Sequence, residues 1–316
     1  MRKARFPAIA VACLLTLLCT ACGDGPAEPN GDKPRVALVM KSLANEFFVA
    51  MAEGARAHQG ENPGRYELIV NGIKNESDLA QQVSLVEQMM ASRVDVIVLA
   101  PADSRGLLPV AKRALDRGIV VVNIDNRFDR ATLADLGIRI PFVGPDNRDG
   151  AYRVGRALAS TLEPGDEVAI IGGIPSAYNA RQRAAGFRAA MEEAGMAVVT
   201  AQAADWEQAK AATVASAMLN EHPGLDALLC ANDNMALGAV AALRQAGRSD
   251  EVAVVGFDNI AAARELIAGG EMVATAEQYG DRLAVFGIEY ALQMLAGDSA
   301  PADRRTPVDV ITADDL

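Results

Sequence analysis

From Arg35 onward the chain alternates short β-rich apolar runs with amphipathic stretches that end in glycine or a basic residue, and this alternation limits the fold more than any other feature. Residues 36–40, 66–70, 94–99 and 119–124 read as strands. Between them, residues 45–59, a stretch to about Ser92 capped by Ser77-Asp78, and residues 104–117 read as helices, the last stopped by Gly118. Residues 94–99 are almost continuously apolar, as a strand buried on both faces must be. Repeated β-α order calls for a parallel sheet wrapped on both faces by right-handed crossovers.

Residues 126–141 are polar and break the alternation. Pro145-Asp146-Asn147 then reads as a helix start, and a second series follows. Strands are expected at 167–171, 198–203, 227–231, 252–257 and 272–275, with helices at 179–194, 206–220, 234–246 and 280–295. A chain of 316 residues, 51% hydrophobic, has enough apolar mass for two modest domains. The expected fold class is α/β, with two Rossmann-like, doubly wound parallel-sheet lobes in tandem and a polar tail whose residues 308–311 form a last strand.

The N-terminus reads as an export signal. Arg2, Lys3 and Arg5 precede an apolar stretch at 9–18 that is too short to span a bilayer. Leu18-Cys19-Thr20-Ala21-Cys22 resembles a bacterial lipobox, with Cys19 where leucine is usual; this makes Cys22 the expected lipidated first residue after removal of the signal at 1–22. Ordinary cleavage near Ala21 and a short anchoring helix are the other readings. Residues 23–34, rich in Gly, Pro and Asp, read as a flexible tether. Cys230 then has no partner for a disulfide and sits in an apolar run, as a buried small hydrophobe would.

Charge removes whole classes of partner. Formal net charge is −11, and without the three N-terminal cations 27 basic residues face 41 acids, or −14. Nucleic acid and anionic lipid surfaces both need clustered cations, so neither is an expected partner, and a lipid anchor is the only membrane attachment foreseen. The two histidines, His58 and His222, lie far apart, and no zinc, thiol-redox, serine-hydrolase or phosphate-loop signature occurs. No cofactor, no metal and no catalysis are expected.

What does recur is a set of polar and aromatic signatures placed after the expected strands, where α/β folds put ligands. Asn45-Glu46-Phe47-Phe48 offers an amide and flat rings, although Asn45 also suits a helix cap, and two adjacent helical residues cannot both face one way. Asp125 ends an apolar strand and is favoured as a contact, while Arg127 suits the cleft and solvent equally. Of the cations in Asn179-Ala180-Arg181-Gln182-Arg183, Arg181 lies nearer the helix start and is preferred for the cleft, leaving Arg183 as surface charge. Trp206, the only tryptophan, opens a helix on the loop edge and suits a stacking wall. Asn232 with Asp233, and Asp258, end neighbouring strands; Gln278 follows a further one.

In this order the signatures resemble the type I periplasmic binding proteins of bacterial sugar ABC transporters, the ribose-binding group above all, from about Arg35 to the end. The resemblance rests on Asn45-Glu46-Phe47-Phe48-Val49, on residues 179–187, on Ala231-Asn232-Asp233-Asn234-Met235-Ala236-Leu237-Gly238-Ala239 and on Val254-Val255-Gly256-Phe257-Asp258. It implies ligand contacts at Asn45, Phe47, Phe48, Asp125, Arg181, Trp206 (phenylalanine in the ribose binders), Asn232, Asp258 and Gln278. Departures fall at the cleft too. Asn126 stands where the ribose binders have arginine, with Arg127 one later, and Lys41 and Glu46 replace their serine and proline; these four join the candidate set. The same fold serves LacI-type repressors, whose DNA-binding segment is here replaced by signal and tether. The resemblance implies a hinge of about three crossings, with lobes at 35–143 plus 279–308 and at 144–278 plus 309–316. It further implies a monomer in the periplasm or at the cell surface, binding a sugar or polyol for a membrane permease. A sensor that presents its ligand to a chemoreceptor or kinase is the alternative.

Overall fold

The computed structural model describes residues 33–298 and 302–316. The expected signal, Cys22 and nearly all of the tether lie outside the described residues. In chain order the elements are β1 (Arg35–Ser42), α1 (Glu46–Glu61), β2 (Glu67–Ile73), α2 (Leu79–Ala91), β3 (Val96–Leu99), α3 (Leu108–Leu115), β4 (Val120–Ile124), α4 (Arg130–Asp135) and β5 (Phe142–Pro145). There follow α5 (Asn147–Ala159), β6 (Glu167–Gly172), α6 (Tyr178–Ala194), β7 (Ala197–Ala203), α7 (Gln208–Glu221), β8 (Leu225–Cys230), α8 (Asp233–Ala246), β9 (Ala253–Val255) and α9 (Ala261–Ala268). The chain ends with β10 (Thr275–Glu277), α10 (Gly280–Leu295), β11 (Arg304–Thr306) and β12 (Asp309–Ile311).

Two parallel sheets form two lobes. The first has strand order β11-β5-β4-β3-β1-β2, the second β7-β6-β8-β9, extended by an isolated bridge from Val255 to Ala274 and by the antiparallel pair β10-β12. Alternation along β1 explains its apolar run. Val36, Leu38 and Met40 face one core with Phe48 and Met51 of α1, while Ala37 and Val39 face the other with Val86 and Val110 of α2 and α3. The chain passes between the sheets three times: after β5 into α5, after β10 into α10, and from β11 to β12. Pairing of Thr306 with Pro145 and of Asp309 with Glu277 lays the third crossing beside the other two.

Several expectations needed revision. Residues 126–141 contain the short α4, and the tail supplies β11, whose RRT sequence lacks the apolar pattern of an inner strand and sits at the edge of the first sheet. The eight-residue α9 had no expected counterpart. The helix expected from Trp206 begins at Gln208, because Asp205 and Trp206 both take left-handed backbone, φ 53° and 70°. Cys230 is wholly buried, with no disulfide, and burial pushes its thiol well above the usual range.

Helix pairs approach closely through glycine. A Cβ on Gly186 of α6 would lie 2.3 Å from the carbonyl oxygen of Arg148 on α5. A Cβ on Gly238 of α8 would lie 2.2 Å from that of Gln208 on α7. Backbone cannot yield as a flexible side chain can, so Gly186→Ala is expected to cost about 1–3 kcal/mol or more in urea denaturation, whereas Gly60→Ala, with open space around it, should cost nothing measurable.

Candidate functional site

Apart from Arg183, which sits in the second turn of α6, the polar residues of the cleft stand in the loops that follow strands or at their edges. Lys41 lies near the end of β1, Asn45 caps α1, Glu76 follows β2 and Asp125 follows β4. From the second lobe come Asn179 in the first turn of α6, Trp206 after β7, Asn232 capping α8 and Asp258 after β9. The strand ends turn sharply: Asp125, Asp205, Trp206, Asp258, Asn259 and Tyr279 all have positive φ, from 53° to 123°. A non-glycine residue holds such a conformation only where the surrounding fold imposes it, and these positions cluster at functional edges.

Together with Phe47, Phe48 and Arg183 these residues line a tight pocket between the strand ends. A wider groove of about 440 Å³, lined by Ser42, Ala44, Glu207 and Gln208 among others, shares Asn45, Glu76 and Trp206 with this pocket and so adjoins it. The aromatic walls are well fixed. Phe47 and Phe48 meet edge to face at 5.2 Å and 75°. Trp206 lies against Gly173, where a Cβ would come within 2.2 Å of the indole; this explains the glycine that follows β6. Its Nε1 is buried without a hydrogen-bond partner.

Two ion pairs are buried in the cleft. Lys41 Nζ lies 2.9 Å from Asp125 Oδ2, with both side chains 3% exposed. Arg183 donates from Nη1 to Asp258 Oδ1 at 3.3 Å and to the carbonyl of Ala231 at 2.8 Å, and from Nε to Asn147 Oδ1 at 2.8 Å. Its guanidinium also stacks 3.7 Å from the Phe257 ring centre. Burial lowers the Arg183 pKa against the pull of Asp258, and burial raises that of Asp258 well above the usual carboxylate range despite Arg183. Asp233, behind the site, is pushed up to about 6 by burial, opposed by hydrogen bonds from Thr275 and the Ile260 amide. Across the cleft the lobes touch through neutral donors: Ala261 N donates to Glu46 Oε1 at 2.8 Å, Tyr178 N to Ser104 Oγ at 2.8 Å, and Asn179 N to Asn126 Oδ1 at 3.3 Å.

Residues 36–299 match the family described as periplasmic binding protein domain. The chain belongs to this family. It is 56% identical over 286 residues to the D-ribose/D-allose-binding protein of Pseudomonas aeruginosa, covering 89% of this chain and 90% of that protein. It is 31% identical over 278 residues to the ribose import binding protein RbsB of Escherichia coli, covering 88% and 90%. An ABC transporter solute-binding protein from Actinobacillus succinogenes, solved with bound D-allose, superposes with a TM-score of 0.84 at 34% identity, covering 89% of this chain and 98% of that one. These relatives are transport binding proteins, not enzymes.

Within this periplasmic binding protein, the geometry sorts the candidate residues. Lys41, Asn45, Phe47, Phe48, Asp125, Trp206, Asn232 and Asp258 line the cavity. Arg181 does not: it is exposed and donates to the carbonyls of Pro175 and Ser176. The cleft arginine is Arg183, four residues after Asn179 and thus on the same helical face, with Gly186, Phe187 and Ala190 continuing that buried stripe. Counting from the helix start favoured Arg181, and helical periodicity would have chosen Arg183.

Asn126 is wholly buried but uses both ends of its amide on the protein, accepting from Ser104 and Asn179 and donating to the Pro101 carbonyl. Arg127 turns to the hinge side, paired with Asp303 and set 5.3 Å from the Phe142 ring centre. Glu46 lies on the exposed rim. Gln278 sits behind Asp258, donating to Oδ1 at 2.6 Å. Glu76 and Asn179 line the cavity without having been singled out as contacts; Glu76 lies in the polar NGIKNESD stretch, where no apolar strand end marked it.

Removing the cation from a buried pair strands its carboxylate. Arg183→Ala is therefore expected to destabilise the protein by about 3–5 kcal/mol in urea unfolding, and Arg181→Ala by less than about 0.5 kcal/mol.

Proposed function

We propose that this protein is the substrate-binding component of a bacterial ABC importer and captures a single aldose, D-ribose or D-allose, between its lobes. The observation that carries the reading is the enclosed cavity in which carboxylates, amides and a guanidinium ring a space walled by Phe47, Phe48 and Trp206. Sugars present this chemistry in reverse, with hydroxyls around the edge and C–H groups on two faces. The named ligands of the Pseudomonas and Actinobacillus relatives support the choice of aldose.

In this reading Asp125 and Asp258 accept from ligand hydroxyls while Arg183, Asn45, Asn179 and Asn232 donate. Gln278 holds Asp258 in place. The lobes, taken as 35–143 with 279–308 and 144–278 with 309–316, close about the three crossings, as periplasmic binding proteins do. Ligand contacts both lobes and so stabilises the closed form by its differential affinity. The closed form then delivers sugar to a membrane permease, and Cys22 carries the lipid that keeps the monomer at the membrane surface.

Calorimetric titration with D-ribose, D-allose, D-glucose and myo-inositol tests the reading. One of the two aldoses should bind, and at 100 times its Kd it should add about 2.7 kcal/mol of stability. Trp206→Ala should weaken that binding about tenfold or more, the loss of one stacked apolar wall, roughly 1.4 kcal/mol or above. Absence of binding by either aldose sinks the assignment.

A further inference from the structure

Glu76 is the one carboxyl of the cavity lining without a cation of its own. Lys41 is committed to Asp125 at 2.9 Å and Arg183 to Asp258 at 3.3 Å. Glu76 is 4% exposed. Among the described residues its only hydrogen-bond partner is Asn45, whose orientation is fixed: Oδ1 takes the Phe47 amide as the cap of α1, so Nδ2 faces Glu76 and donates to Oε1 at 3.2 Å. Oε1 is therefore an acceptor. Oε2 is buried and has no partner among the described residues. An ionised carboxylate left so in an enclosed site costs several kcal/mol, and a neutral acid costs far less.

We propose that Glu76 acts in the closed cleft as a neutral acid, donating the proton on Oε2 to an oxygen of the bound ligand, so that ligand capture takes up a proton. The proposal rests on the sugar-binding reading and adds to it a donor of specific position and a dependence on pH. A donor here favours a ligand oxygen that must accept, such as a ring oxygen or a hydroxyl already donating elsewhere.

The groups facing Glu76 come from four places. Lys41 on β1 favours the charged form, as does the Asn45 amide at the start of α1; Asp125 after β4 and Glu207 after β7 oppose it. Burial outweighs all of them and pushes Glu76 up to about 7 from an ordinary 4.5. In an open cleft the carboxyl regains water and its ordinary value. The closed state thus binds more protons, and closure is undiminished below about pH 4.5, weakens as pH rises towards about 7, and stays weakened above it.

The test is calorimetry on the purified protein with D-ribose and D-allose at about pH 5.5 and about pH 8.5, in buffers of differing protonation heat. Expected are net proton uptake on binding near pH 6 and a Kd about tenfold or more weaker at the alkaline end. Glu76→Gln keeps a neutral donor and should bind within about threefold of wild type at acidic pH with a flat profile. Wild-type binding without proton uptake overturns the inference and leaves the sugar-binding reading intact. A slope that persists in Glu76→Gln also overturns it and points to Asp258 or Asp233. No binding at any pH overturns the sugar-binding reading and this inference with it.

Discussion

Charge in the cleft is compensated lobe by lobe. Lys41 and Asp125 both belong to the first lobe, on β1 and after β4, and Arg183 and Asp258 both to the second, on α6 and after β9. Each lobe can therefore face water or face the other without a lone buried charge appearing. The contacts that join the lobes across the cleft are of a different kind: backbone amides of Tyr178, Asn179 and Ala261 donating to a hydroxyl, an amide and a rim carboxylate. Such bonds exchange for water at a net cost of about 1 kcal/mol each. In the cleft the buried ion pairs stay inside one lobe and backbone amides span it, while the Arg305–Asp146 ion pair joins the lobes beside the crossings.

The sheets supply the rigidity that this arrangement needs. Buried strands on both sides hold the turns at Asp125, Trp206 and Asp258 in backbone conformations that an isolated loop would abandon. The same turns aim a carboxylate from the first lobe, and an indole and a carboxylate from the second, towards the cleft. Gly173 completes the fit by leaving room for the indole, and the stack of Arg183 on Phe257 fixes the guanidinium plane that faces the cavity.

Much of this was legible in the order of residues. The apolar runs of β3, β4 and β8 and the helix starts at Asn45, Asp78 and Asn232 announce themselves, because burial on two faces and capping leave strong local signals. β11 and α9 were not legible: one is a polar edge strand whose pairing is decided by distant β5, the other an eight-residue helix with no side-chain cap. At the site, residues that end an apolar strand were visible, as with Asp125 and Asp258. At α6, proximity to the helix start points to Arg181, whereas helical phase sets Arg183 on the face of Asn179. Asn126 and Gln278 looked like ligand contacts because sequence cannot tell an amide that faces a cavity from one that braces its wall. Glu76 gave no signal at all, since the loop after β2 is polar throughout.

The three crossings between lobes have a mechanical consequence. A single connecting strand lets two bodies swivel about any axis, as a ball joint does. Here the link between β11 and β12 is hydrogen-bonded to the ends of both other crossings, at Thr306 with Pro145 and at Asp309 with Glu277. Three tethers laid side by side resist twisting and sliding and leave bending as the easy motion, as in a door hung on one edge. If the lobes close as proposed, opening and shutting follow mainly that bend, and a surface that distinguishes the two states reads chiefly one angle.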